Sequence, residues 1–63
     1  MFIKVNDVVN GNIKFINSKY ITAIFKIRTG ETFIEYVGDC CYTNLDPEDL
    51  VLEIERIKNE ENE

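Results

Sequence analysis

The chain has 63 residues, enough for one small domain, and a net charge of −5. It contains no run of about 18 apolar residues that could cross a membrane as a helix. Its first residues also lack the basic and then apolar order of a secretory signal peptide. We therefore expect a cytoplasmic protein with no membrane association, in which the thiols stay reduced.

The charge is distributed unevenly along the chain. Residues 1–45 carry five basic and four acidic side chains, whereas residues 46–63 carry eight acidic and two basic ones. The acidic total argues against nucleic acid as a partner, because nonspecific binding of nucleic acid requires clustered lysines and arginines. It is compatible with a protein partner that has a basic surface.

Three glycine-containing turns and one tight connection divide the first 44 residues into five predicted strands. Asn10-Gly11, Thr29-Gly30 and Gly38-Asp39 are each typical of a two-residue hairpin turn. Between the first two hairpins, "NSKY" at 17–20 indicates a tight connection with one helical turn. The predicted strands are residues 2–9, 12–16, 20–28, 32–37 and 40–44.

Two-residue loops would fix the pairing of these strands. They place Asp7 opposite Lys14, a favourable pair of opposite charges. In the second hairpin they place Phe25 opposite Ile34, and in the third they place Tyr36 opposite Cys41. The predicted core face of the third and fourth strands then consists of Ile21, Ala23, Phe25, Ile27, Ile34 and Tyr36.

Residues 47–59 predict an amphipathic helix. Asp46 suits the N-cap, and Pro47 suits the first helical position, where its missing N–H has no cost. Leu50, Ile54 and Ile57 then fall on one apolar stripe that can pack on the sheet.

The fold class predicted from these elements is α+β. We expect a small antiparallel β-sheet, or a partly curled barrel, of about five strands with one C-terminal α-helix. Residues 1–59 would form a single β-β-β-β-β-α domain, and residues 60–63 would form a frayed acidic tail.

Apolar side chains exceed what one short helix can cover. The first hairpin has apolar residues on both faces. Ile3, Val5, Val9 and Ile16 lie on one, and Phe2, Val8, Ile13 and Phe15 lie on the other. The sheet face opposite the predicted core also carries apolar residues, and these are the candidate interface: Tyr20, Ile24, Phe33 and Val37. We expect this surplus to be covered by a second copy of the chain, by curling of the sheet, or by another protein.

The two cysteines, Cys40 and Cys41, are adjacent and therefore point to opposite faces of the predicted strand. The chain has no histidine and no other cysteine, whereas a zinc site needs three or four ligands. A redox pair usually separates its sulfurs by two residues. We therefore expect structural thiols, no catalytic residues, no metal, no cofactor and no enzymatic activity.

The leading hypothesis is a non-enzymatic protein-interaction module that forms a homo-oligomer through its sheet. The alternative is a regulator or inhibitor that presents an acidic helix to a basic protein surface. The acidic face of that helix would consist of Glu48, Glu53, Glu55, Glu60 and Glu61. A further alternative is a nucleic-acid-binding sheet in which Lys4, Lys14, Lys26 and Arg28 alternate with aromatic residues.

Four stretches occur in an order that resembles a known group of small proteins. They are "VNGN" (9–12), "INSKYI" (16–21), "RTGETFIEYV" (28–37) and "DPEDLVLEIERI" (46–57). In this order they resemble the FlbD/SwrD-like proteins associated with bacterial flagella, and other small proteins carried by bacteria and phages. The chain departs from that pattern in "GDCCYTNLDPED" (38–49), where the family has a shorter step from strand to helix. The resemblance brings no catalytic residues with it.

Overall fold

Residues 1–61 are described by a computed structural model, and they form an α+β fold with two small antiparallel sheets and one C-terminal helix. The sheets contain strands β1-β2 and β3-β4-β5, and the described strands do not close into a barrel. The predicted fold class is confirmed. The elements are β1 (Phe2–Asp7), β2 (Asn12–Asn17), a 3-10 turn (Ser18–Tyr20), β3 (Ile21–Lys26), β4 (Thr32–Tyr36), β5 (Asp39–Thr43) and α1 (Pro47–Glu61).

The loop of the first hairpin has four residues, 8–11, and not the predicted two. Asp7 lies opposite Asn12, and its carboxylate accepts hydrogen bonds from the N–H groups of Val9 and Asn10. An aspartate that binds the backbone of its own loop favours this wider turn. The register moves by two residues, which is the side-chain period of a strand, so the predicted faces are retained for the residues of both strands. Val8 and Val9, which were predicted to extend the first strand, lie in the loop.

The loop of the second hairpin has three residues, 28–30, where two were predicted. The Ile27 N–H donates to the Glu31 carbonyl at 2.9 Å, and Gly30 adopts a φ of 101°. Three-residue hairpin loops commonly need such a left-handed residue at their end. Phe25 therefore lies opposite Phe33 and not opposite Ile34.

This one-residue difference makes the predicted core face of β3 wrong. A one-residue slip exchanges the two faces of a strand relative to its partner. Ile24 faces the core opposite Ile34, and Phe25 lies on the outer face. A β-bulge between Ile21 and Ala23 then reverses the alternation again, so Ile21 packs on the core as predicted.

The third turn consists of Val37 and Gly38, one position earlier than predicted, and Tyr36 lies opposite Asp39. Gly38 has a φ of 80°. The register again differs by two residues, so the faces are retained. Cys41 is buried and Cys40 is exposed, which confirms the predicted opposite orientation of the two thiols.

The core lies between the two sheets and the helix. Its fully buried apolar residues are Ile3, Val5, Ile16, Ile34, Cys41, Leu50 and Ile57. The sheets are joined where the Val8 N–H donates to the Tyr42 carbonyl at 2.9 Å. The buried Thr43 hydroxyl adds a bond of 2.6 Å to the side-chain oxygen of Asn6. Strand β1 is thereby held against β5.

Helix α1 begins as predicted, because the Asp46 carboxylate accepts a hydrogen bond from the Glu48 N–H at 2.8 Å. It ends at Glu61, two residues later than predicted. Arg56 contacts both Glu53 and Glu60, and such i,i+3 and i,i+4 pairs stabilise the last turns. Residues 62–63 of the predicted tail lie outside the described residues. Across residues 1–61, none of the helices has the length and apolar character to span a membrane.

Candidate interaction surfaces

Twelve large apolar side chains are exposed within the described residues, and four of them lie on the outer faces of the sheets: Phe2, Ile13, Phe15 and Phe25. The densest cluster is the outer face of β1 and β2. We call it the hairpin face, and it consists of Phe2, Lys4, Ile13 and Phe15. Phe2, Ile13 and Phe15 are 61%, 53% and 65% exposed. Scattered surface hydrophobics are normal, but three neighbouring ones on a single hairpin form a patch of the kind that contacts partners.

Strand pairing explains why these four side chains share a surface. Lys4 lies directly opposite Phe15, and Phe2 lies opposite Asn17, two residues farther along β2. Residues two apart on a strand point to the same side. The buried side chains of β1 alternate with them, as Ile3 and Val5 turn inward to the core.

A second cluster lies on the outer face of the three-stranded sheet. We call it the aromatic face, and it consists of Phe25, Phe33 and Tyr42. The ring centroids of Phe25 and Phe33 are 4.9 Å apart, and those of Phe33 and Tyr42 are 5.3 Å apart. These tilted contacts are favourable aromatic geometries. They also shield the rings, so that Phe33 and Tyr42 are partly buried.

The structure does not bring the four residues of the predicted interface together. Tyr20 and Val37 are exposed neighbours at one end of the sheet, where the Val37 N–H donates to the Tyr20 carbonyl at 3.0 Å. Phe33 belongs to the aromatic face. Ile24 packs against the core, on the side opposite Phe33.

The outer strands of the two sheets carry features that oppose the addition of another strand. Lys14 on β2 turns inward and its Nζ lies 3.1 Å from the Asp7 carboxylate. Strand β3 carries the bulge between Ile21 and Ala23. Inward-pointing charges and bulges are both features by which proteins protect sheet edges from pairing.

Asp7 and Lys14 border a small polar pocket of about 290 Å³. Val9, Asn10, Asp39, Cys40, Cys41 and Tyr42 complete its lining. Asp7 is only 3% exposed, and its oxygens accept hydrogen bonds from Lys14 and from the loop at residues 9–10. The hydrogen bond from Lys14 is the main cause that lowers the pKa of Asp7, and the same contact raises the pKa of Lys14.

The buried thiol of this pocket, that of Cys41, is not activated. Burial raises the pKa of Cys41, so at neutral pH the sulfur remains protonated. Throughout residues 1–61, every buried side-chain nitrogen or oxygen has a hydrogen-bond partner. The pocket is therefore best explained as the polar support of the first hairpin loop.

This support predicts a specific pH dependence. Asp7 has a folded-state pKa below its ordinary value of 3.8. Its contribution to stability is therefore present above that value and is lost as the pH falls through the folded-state pKa. We expect Asp7→Asn to lower the melting temperature at neutral pH and to weaken its decrease below about pH 4.

Thermal melts by circular dichroism across the acidic range test this prediction. Lys14→Gln is the matched control, because it removes the main cause of the shift and should also weaken the acid dependence. Other carboxylates, such as Glu53, also have lowered pKa values and will leave some dependence. Equal acid dependence in the natural protein and in Asp7→Asn would contradict the prediction.

The predicted acidic face of α1 is partly neutralised within the helix. Arg56 lies 2.5 Å from a carboxylate oxygen of Glu53 and 2.7 Å from one of Glu60. Glu48 and Glu55 are exposed. The side chain of Glu61 lies outside the described part of the chain.

Sequence reasoning missed the two faces described above as candidate sites. It placed Phe2, Ile13 and Phe15 on one side of the first hairpin, but it selected the interface from β3 and β4. The usable signal was the apolar character of both sides of the first hairpin, since only one side can face the core. The aromatic face could not be found without the register of the second hairpin.

Comparisons with protein-family models, with curated proteins and with solved structures give no match to this chain. The surfaces and contacts of the chain itself are therefore the basis for the proposed function.

Proposed function

We propose that this protein is a non-enzymatic interaction module that associates with copies of itself through the outer side of its sheets. The observation that carries the proposal is the exposure of the hairpin face. Phe2 and Phe15 are each more than half exposed on a regular strand pair. Fully burying a side chain of this size stabilises by roughly 1.5–3 kcal/mol, so covering this face favours association.

The small core supports a second copy as the partner. A chain of about 60 residues buries only about 60% of the surface of its unfolded state, and domains of this size often depend on oligomerisation. A partner that supplies missing burial must be present whenever the chain folds, and another copy of the same chain meets that condition.

The exposed aromatic area of the hairpin face can be compared with the area that a specific interface buries. An aromatic side chain buries roughly 150–250 Å², so Phe2 and Phe15 from two copies would supply about 500 Å² at their observed exposure. A specific interface needs about 1,000 Å² in total. The four rings, two from each copy, therefore supply about half of such an interface, and the residues around them must supply the rest.

The two alternatives receive less support from the structure. An inhibitor that presents an acidic helix would need free carboxylates, whereas Glu53 and Glu60 are engaged by Arg56. A nucleic-acid-binding sheet would need several basic residues around exposed aromatics, whereas the hairpin face carries one, Lys4, and Lys14 is engaged by Asp7.

The absolute mass in solution, measured by light scattering behind a sizing column, tests the proposal. We expect a mass of at least two copies that increases with protein concentration from the micromolar to the millimolar range. The mass should not depend on reductant, because the proposed contact uses apolar side chains and not Cys40. A monomer at the highest concentration would contradict self-association. So would a multimer that appears only without reductant.

A further inference from the structure

Resting on the self-association proposed above, we infer where and how two copies meet. The hairpin face of one copy packs on the hairpin face of a second copy about a twofold axis. The sheets lie face to face, and their edges do not pair. Phe2, Ile13 and Phe15 form the apolar part of the contact, and Lys4 lies among them, directly opposite Phe15.

The hairpin face is favoured over the aromatic face because its rings have more exposed apolar surface that association can bury. Phe25 and Tyr42 already pack on Phe33. Phe2 and Phe15 are 61% and 65% exposed, compared with 49% for Phe25. Transfer of apolar surface from water is the main driving force of such contacts, so the more exposed pair contributes more on association.

Face-to-face packing is favoured over edge pairing by the outer strands themselves. A strand added to β2 would lie next to Lys14, whose side chain is directed inward to Asp7. A strand added to β3 would meet the bulge between Ile21 and Ala23. Both features interrupt the regular ladder that edge pairing requires.

The charged residues beside the hairpin face favour a second copy of the chain over a partner whose surface is only acidic or only basic. Lys4 borders a depression together with Asp49 and Glu53 of α1. Glu53 is already paired with Arg56, so Asp49 is the acidic group available beside Lys4. Among the described acidic residues, none forms an ion pair with Lys4. A twofold contact is self-complementary when each copy presents both signs next to an apolar centre.

The test compares two identical substitutions, Phe15→Lys and Phe25→Lys. Both positions are exposed phenylalanines on outer sheet faces. Phe25→Lys also removes the contact with the Phe33 ring, so it tests the surface charge at no smaller cost to folding than Phe15→Lys. We expect Phe15→Lys to raise the dissociation constant of the assembly about thirtyfold or more, as for a central interface residue. We expect Phe25→Lys to keep the mass and the dissociation constant of the natural protein.

Sedimentation equilibrium measures the dissociation constants, and circular dichroism verifies that each variant is folded. If Phe15→Lys does not fold, Ile13→Lys replaces it at the neighbouring position on the same face. An assembly that survives both Phe15→Lys and Ile13→Lys overturns the inference. Dissociation of Phe25→Lys with retention of Phe15→Lys assigns the contact to the aromatic face and also overturns it. A monomeric natural protein is a different result, since it overturns the proposed function itself.

Discussion

Replacement of Ile34 by alanine is expected to lower the free energy of unfolding by about 2–5 kcal/mol, the usual cost of truncating a buried isoleucine. Ile34 has 0% exposure and lies in the middle strand of the larger sheet. It faces Ile24 on one side and Cys41 on the other. Removing three carbon atoms there leaves a cavity that two hydrogen-bonded neighbouring strands cannot easily close.

Urea unfolding followed by circular dichroism measures this effect. A domain of this size has a total stability of roughly 3–9 kcal/mol at the usual value per residue, so Ile34→Ala should be close to unfolding at physiological temperature. Val37→Ala is the control, since Val37 follows the same strand and is 69% exposed. It should change stability by less than about 0.5 kcal/mol. Equal stability of the two variants would contradict the core described here.

Replacement of Leu50 by alanine is expected to lower stability by a similar amount, about 2–5 kcal/mol. Leu50 is 4% exposed and belongs to the core cluster that joins α1 to the sheets. The chain before the helix is also held in place, because the buried Thr32 hydroxyl donates to the Leu45 carbonyl at 2.6 Å. The helix therefore has little freedom to move and fill the space.

Leu52→Ala is a closely matched control for Leu50→Ala. Leu52 is the same residue type, lies two positions later in the same helix and is 62% exposed. Both substitutions replace leucine by alanine within the helix and therefore change helix propensity equally. The difference between their free energies of unfolding in urea then measures only the packing of the helix on the sheets. If Leu52→Ala were as destabilising as Leu50→Ala, the assignment of the buried helix face would be wrong.

Local signals predicted the positions of the elements well. Asp46 and Pro47 defined the start of the helix, and the glycines at 11, 30 and 38 marked the hairpins, each with a positive φ in the structure. "NSKY" predicted the 3-10 turn, in which the Asn17 side chain accepts a hydrogen bond from the Lys19 N–H. Caps and turns depend on residues close in sequence, so a pattern can predict them.

The core face of β3 could not be predicted in the same way. Thr29-Gly30 fits a two-residue loop and a three-residue loop equally well at the level of local preference. The choice between them decides whether Ile24 or Phe25 packs against Ile34. The bulge after Ile21 then returns the side chain of Ile21 to the core face, and no short sequence pattern predicts this bulge.

The sequence by itself determined the secondary structure of this protein, the opposite orientation of Cys40 and Cys41, and the two apolar sides of the first hairpin. These depend on turn residues, on capping and on strand alternation, which act over a few positions. Only the tertiary structure decided which surfaces stay exposed. Register, the bulge and the docking of α1 depend on contacts between distant residues. They leave Phe2, Ile13 and Phe15 outside the core, bury Ile34 and partly bury Ile24.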